Sequence, residues 1–293
     1  MKCANHVFEL IGKTPLVRIN NMAPNHSVKI YAKLEGFNPM GSLKDRIALK
    51  MVLDAEKEGK LTKDKTILEA TSGNTGISVA WVAALKGYKC EIVLPRSVSE
   101  ERKKILKLLG AKLVLVSTEE EAVKKARKMA ENQQYFMTDQ FANDLNWIAH
   151  YQTTGEEIWE QTEGKITHFV AGIGTSGTIM GVARRLKAFK QSVKIIGVQP
   201  SSKESKQQGL LNQHKFCPEI CKHSEIDEMI MVEDHDAYET ARNLLLKEGL
   251  FVGISSGSAM WGAIQKARVL DEGLIVTIFG DHGFKYLSTN LFG

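Results

Sequence analysis

Thr66-Ile67-Leu68-Glu69-Ala70-Thr71-Ser72-Gly73-Asn74-Thr75-Gly76-Ile77-Ser78-Val79-Ala80 decides the fold class. An apolar, β-prone run leaves through a glycine-bracketed polar turn into a helical pattern that continues to Lys86 and closes at Gly87. The spacing predicts a strand over Thr66–Ala70 and a helix over Asn74–Lys86. The same unit recurs on both sides. Strands are expected at Val28–Leu34, Lys89–Leu94, Leu113–Val116, Ile166–Ala171, Lys194–Val198 and Leu274–Phe279. Helices are expected at Asp45–Gly59, Ser99–Leu109, Glu119–Glu131, Gly177–Phe189, His235–Glu248 and Ser258–Leu270. Such alternation predicts an α/β protein with open parallel-type sheets, each wrapped by helices. The stretch Asp144–Gly164 reads as wholly helical and falls between the two sets of units.

Composition narrows the function. The 293 residues are 43% hydrophobic and 25% charged, with a formal net charge of +5. That is ordinary globular composition. The lysines are scattered, and the densest run, Lys103-Lys104 to Lys107, reads as a solvated helix face, so neither nucleic acid nor membrane is expected as a partner. No apolar run is long enough to span a bilayer, and the N-terminus lacks a signal-peptide pattern; a cytoplasmic location is the expectation. Four cysteines in such a chain do not form a disulfide framework.

Three turns carry chemistry. In Asn38-Pro39-Met40-Gly41-Ser42-Leu43-Lys44-Asp45-Arg46, Ser42 can cap the following helix and Lys44 sits in its first turn. The positive end of a helix disfavours an ammonium, so Lys44 suits a neutral amine nucleophile; the alternative is a solvent-facing lysine paired with nearby acids. In the opening stretch, Thr71, Ser72, Asn74 and Thr75 surround a helix N-terminus, more polar groups than capping needs, which points to an anion site. Gly172-Ile173-Gly174-Thr175-Ser176-Gly177-Thr178 reads as a phosphate cradle built from backbone N–H groups and hydroxyls. It has no Gly-Lys-Ser/Thr ending, so it is not a P-loop. Gly253-Ile254-Ser255-Ser256-Gly257-Ser258 precedes a helix and by itself could be a cap.

Together these segments resemble the cysteine synthases (O-acetylserine sulfhydrylases) of the pyridoxal phosphate-dependent β-family, the fold-type II enzymes. The likeness runs from Ile11-Gly12-Lys13-Thr14-Pro15-Leu16 to Tyr286-Leu287-Ser288-Thr289. Around His150-Tyr151-Gln152-Thr153-Thr154-Gly155 and the Gln199–Pro218 loop it is nearer to the B-type enzymes. The resemblance implies pyridoxal 5′-phosphate held as a Schiff base by Lys44, which is also the acid/base. It implies Asn74 on the ring hydroxyl, Ser255 at the pyridine nitrogen, and Gly174, Thr175, Ser176, Gly177 and Thr178 on the phosphate. Thr71, Ser72, Thr75 and Gln140 would bind the substrate carboxylate. It further implies a cofactor in the cleft between a smaller mobile domain, residues 44–146, and a larger one, residues 1–43 and 147–293, in a homodimer. The implied reaction is β-replacement on O-acetyl-L-serine by sulfide through an aminoacrylate, giving L-cysteine. A sulfide-releasing β-lyase and a cystathionine β-synthase are the alternatives on the same scaffold.

Two features stand apart from that likeness. Gly209-Leu210-Leu211-Asn212 has no arginine where B-type enzymes that take anionic substrates resemble one another in carrying one, which argues against an anionic second substrate. His214, Cys217, Cys221 and His223 place four zinc-type ligands within ten positions, but in no standard finger spacing. Packing and loop chemistry is the reading there, and no metal is expected. Asp281-His282 reads as a turn after the last strand.

Overall fold

The computed structural model describes residues 3–24, 26–71, 73–213 and 216–291. Two sheets organise the chain. The first joins β3 (Thr66–Ala70), β4 (Lys89–Pro95), β5 (Lys112–Val116) and β6 (Tyr135–Met137) in the order β5-β4-β3-β6, all parallel. The second joins β1 (Leu16–Ile19), β2 (Val28–Leu34), β7 (His168–Gly172), β8 (Lys194–Pro200), β9 (Glu228–Val232) and β10 (Gly273–Phe279) in the order β1-β2-β10-β7-β8-β9. It is parallel except for the edge strand β1, which runs antiparallel to β2.

The predicted helices are α1 (Lys44–Lys57), α2 (Asn74–Lys86), α3 (Glu100–Leu108), α4 (Glu119–Ala130), α7 (Gly177–Phe189), α8 (Asp234–Glu248) and α9 (Ile254–Arg268). The stretch expected to be wholly helical breaks at Thr153, where φ is −126° and ψ −74°, into α5 (Leu145–Gln152) and α6 (Thr154–Gln161). The Thr153 hydroxyl turns back to donate to the Ala149 carbonyl (2.7 Å), a local bond that competes with the helical ladder. Helix α9 starts four residues earlier than the pattern suggests, so Ser255 lies in its first turn. No helix among the described residues is long and apolar enough to cross a membrane.

Sheet connectivity places the site. In the first sheet the chain winds outward through β3, β4 and β5, then returns to pair β6 on the other side of β3. In the second, β7, β8 and β9 wind one way while β10 inserts between β7 and β2. Each order therefore has one reversal, and ligands of open α/β sheets bind at the carboxyl ends of strands flanking such a reversal. The loops after β3, β6, β7 and β10 carry Thr71, Gln140, the Gly172–Thr178 turn and Gly280-Asp281.

The start of α1 is fixed by a buried ion network. Arg46 donates from Nε and Nη2 to the two Glu35 oxygens (2.7 and 2.8 Å) and from Nη1 and Nη2 to the Glu157 oxygens on α6 (2.7 and 2.9 Å). Lys33 at the end of β2 adds a 2.7 Å contact to Glu157. Burial opposes charge on Glu157, but its bonds to Arg46 and the Arg46 and Lys33 charges outweigh that and pull its pKa down to about 2. Removing one member strands the others, which typically costs about 3–5 kcal/mol. Arg46→Ala is therefore expected to destabilise the chain by that amount in denaturant titration; a loss below about 1 kcal/mol would show that the network does not hold α1 in place.

Candidate active site

Lys44 is the first residue of α1. The Ser42 hydroxyl accepts from its backbone N–H (3.3 Å), a weaker cap than the sequence suggests. Asp45, next in the chain, accepts from the Met40 N–H (2.7 Å) and the Ser78 hydroxyl (2.6 Å), tying the turn to α2. The Lys44 amine faces a cleft that is also lined by Thr71, Asn74, Gln140, Thr175 and Ser255. Burial lowers its pKa to about 8 against the raising charges of Asp281 and Glu119. Desolvation, rather than the helix terminus expected from the sequence, is the larger cause of that shift.

A second lysine, Lys285, lies behind the cleft residue Asn74, and burial lowers its pKa to about 8 as well. Its three donors are engaged by Met40 O (2.8 Å), Gly41 O (3.2 Å) and Asn74 Oδ1 (3.0 Å). Among the described residues Lys44 Nζ makes no such bond. Of the two, Lys44 alone is chemically available.

The turn after β7 is shaped by close backbone packing. A Cβ on Gly174 would lie 2.3 Å from the Gly209 carbonyl oxygen, and one on Gly177 1.8 Å from Asn146 Oδ1. Ser176 adopts a left-handed φ of 71°, which helps turn the loop into α7. Asn146 donates to Thr175 Oγ1 (3.0 Å), and His150 contacts Thr178 Oγ1 (3.3 Å). Burial, with Arg46 next, lowers the His150 pKa to about 3, so its ring is neutral.

The loop after β3 meets the loop after β6. Thr71 Oγ1 accepts from the Gly73 N–H (2.9 Å), which leaves its own proton to offer. Thr75 donates to Gln140 Oε1 (2.6 Å), and Gln140 Nε2 donates to the Ala70 carbonyl (2.8 Å). The Thr75 hydroxyl proton is thus committed, while Gln140 keeps a second amide proton. Ser72 lies outside the described residues.

Several cleft residues were not singled out in the sequence. Asp281 is more than a turn residue: its Oδ2 accepts from Asn74 Nδ2 (2.7 Å) and the Tyr286 hydroxyl (2.9 Å), with Arg102 Nη2 at 3.5 Å. Arg102 projects from α3 into the cleft, where it also donates to Gln208 Oε1 (2.6 Å) and lies over the Tyr286 ring. The loop at 209–212 lacks an arginine, but the cleft does not. The position of Asp281, directly after the last strand, was the available signal; nothing in the pattern of α3 separates buried Arg102 from exposed Lys104 and Lys107.

The residues fit pyridoxal phosphate. A free, poorly solvated amine, a glycine-lined turn opening a helix, an amide and a hydroxyl share one cleft, as that cofactor requires. Comparison with known proteins agrees. The pyridoxal-phosphate dependent enzyme family matches residues 7–281. A cysteine synthase of Aquifex aeolicus is 47% identical over 99% of this chain and 93% of its own length. Cysteine synthase B of Salmonella typhimurium is 43% identical over 99% and 96%. The crystal structure of a hydrogen sulfide-producing enzyme from Fusobacterium nucleatum superposes with a TM-score of 0.92 at 39% identity, covering 97% of this chain and all of that one. The chain belongs to the pyridoxal-phosphate dependent enzyme family, with the fold-type II architecture, and its cofactor is pyridoxal phosphate.

Under the site, Glu69 is fully buried, and burial raises its pKa to about 8. Its carboxyl is held by the Thr138 hydroxyl and the Gln140 N–H. The unfolded group ionises near about 4.3, so stability is full below that pH and falls as pH rises toward 8. Glu69→Gln should remove this slope: the Tm of the variant relative to wild type should be higher at pH 8 than at pH 5. An equal offset at both pH values would contradict a protonated Glu69.

Proposed function

We propose that this chain forms L-cysteine by β-replacement, exchanging the acetate of O-acetyl-L-serine for sulfide. The observation that carries the reading is the uncommitted Lys44 amine, with its pKa near 8, facing a cleft flanked by two glycine-bearing turns that open helices. Cysteine synthases among its relatives support the substrate pair. When bound, the cofactor withdraws electrons from the amino acid and so acidifies its α-proton.

The chain's own residues do the rest. Lys44 anchors the cofactor, then as a free amine takes the α-proton and later returns it. At pH 7 a group with this pKa is about one tenth neutral, far more than an ordinary lysine. Gly174 to Thr178 hold the phosphate, and Asn74 holds the ring hydroxyl. Ser255 offers a hydroxyl near the ring nitrogen. A hydroxyl cannot keep a pyridine protonated as a carboxylate would, which suits departure of a β-substituent better than transamination. The Thr71 hydroxyl and the free amide proton of Gln140 bind the substrate carboxylate, with Thr75 beside them. Carboxylate binding draws residues 44–146 over residues 1–43 and 147–293 and excludes water.

The working form is a homodimer in the cytoplasm. Exposed Phe37 and Phe284, bridged by the ring of His282, form an apolar patch suited to a second copy. The Fusobacterium neighbour favours a second reading, release of sulfide from cysteine on the same residues.

Lys44→Ala should abolish the visible absorbance of the bound cofactor and lower turnover by about 10²–10⁴-fold or more. Initial rates with O-acetylserine plus sulfide, and with cysteine alone, separate the two readings. Cysteine formation at the higher rate is expected. Sulfide release from cysteine, with O-acetylserine inert, would overturn the synthase reading.

A further inference from the structure

Cys217, Cys221 and His223 converge outside the cleft. Their Sγ and ring nitrogen atoms all lie within 4.8 Å of one another. Cys217 Sγ and His223 Nε2 are 3.5 Å apart. Tetrahedral zinc, with sulfur at about 2.3 Å and nitrogen at about 2.0–2.1 Å, sets sulfur and nitrogen ligands about 3.5 Å apart. The pair is thus already at ligand spacing. Cys217 and His223 are exposed while Cys221 is buried, so an ion can enter from solvent.

The loop that carries them is held on several sides. The Cys221 N–H donates to the Pro218 carbonyl (3.0 Å), and the Ile220 N–H to Phe141 O (3.4 Å). Glu219 pairs with Arg127 (2.7 Å), and Glu225 takes a two-bond fork from Arg184 (both 2.8 Å). A loop tied this way presents preorganised ligands. One ligand also reaches the active site: the Gln213 amide lies 3.4 Å from Cys221 Sγ and 3.5 Å from Ser176 Oγ in the turn after β7.

We propose that Cys217, Cys221 and His223 form a binding site for a thiophilic divalent cation, zinc in the first instance, with its fourth position open to water or a further ligand. His214, the fourth member of the cluster in sequence, lies outside the described residues. Binding forms two metal–sulfur bonds and one metal–nitrogen bond. The two thiol protons pass to buffer, and no oxidant or reductant is needed. Cys221 then keeps its contact with the Gln213 amide as a thiolate acceptor, which couples the ion to the turn that opens α7. Two soft thiolates and an imidazole select zinc over magnesium or calcium, which prefer oxygen ligands.

The test uses the full-length holoenzyme with its thiols reduced by a metal-free phosphine, titrated with Zn²⁺ against a chromophoric chelator. One-to-one binding at micromolar free zinc is expected. It should persist in Cys3→Ser and be lost in Cys217→Ser and in Cys221→Ser. Cobalt in place of zinc should give thiolate charge-transfer absorption that the same two variants lack. In case a variant misfolds, wild type provides an independent check: zinc should slow alkylation of Cys217 and leave Cys3 unaffected, by peptide mass mapping. No binding by the reduced chain, binding that survives both cysteine substitutions, or alkylation of Cys217 indifferent to zinc would overturn the site. Zinc indifference together with a Cys217–Cys221 disulfide on mild oxidation would overturn it in favour of a redox pair.

Discussion

The fork between Arg46, Glu35 and Glu157 is the constraint on which the site depends. It joins the end of β2, the start of α1 and the body of α6 two residues from Lys44. Both Arg46 and Glu35 are buried, so the fork cannot open without leaving bare charge in the interior. Lys44 thereby gains a fixed origin while its own side chain stays free of partners among the described residues. A catalytic amine needs both: an anchored backbone to aim it and an uncommitted nitrogen to react. The contrast with Lys285 makes the point: burial lowers the pKa of both amines to about 8, but Lys285 is buried with all three donors engaged, while Lys44 is half-buried and makes no such bond.

The second determinant is topology. Two sheets, each with one reversal of strand order, turn the carboxyl ends of β3 and β6 and of β7 and β10 toward one cleft. One sheet contributes the Thr71 and Gln140 loops, the other the Gly172–Thr178 turn and the Gly280-Asp281 corner. Asp281 and Asn74 then bond across the gap, with Arg102 and Tyr286 stacked beside them. The cleft is thus bridged by polar contacts, unlike the apolar packing within each sheet.

Much of this was legible in the sequence because it rests on local chemistry. Strands β2 and β3 and helices α2 and α7 were placed to the residue, since turn glycines and apolar runs bound them. The edge strand β1 and the short β6 and β9 were missed; their runs are too brief or too mixed to stand out from loop. The break at Thr153 depends on one hydroxyl choosing a carbonyl, which periodicity does not report. The site was legible where a glycine turn meets a helix, as at Asn74 and Gly174. It was illegible at Arg102, whose role comes from contacts with Asp281 and Tyr286 some 180 positions away, and at Asp281 only its place after the last strand gave a signal. Cys217, Cys221 and His223 looked like an irregular run by spacing, and only the folded loop brings their ligand atoms together.

The central claim is that Lys44, and not the more deeply buried Lys285, carries the cofactor. Borohydride reduction of the holoenzyme, followed by proteolysis and mass spectrometry, tests it directly. The account predicts a single pyridoxyl adduct, on the peptide containing Lys44. An adduct on Lys285, or one that persists at the same yield in Lys44→Ala, would contradict it.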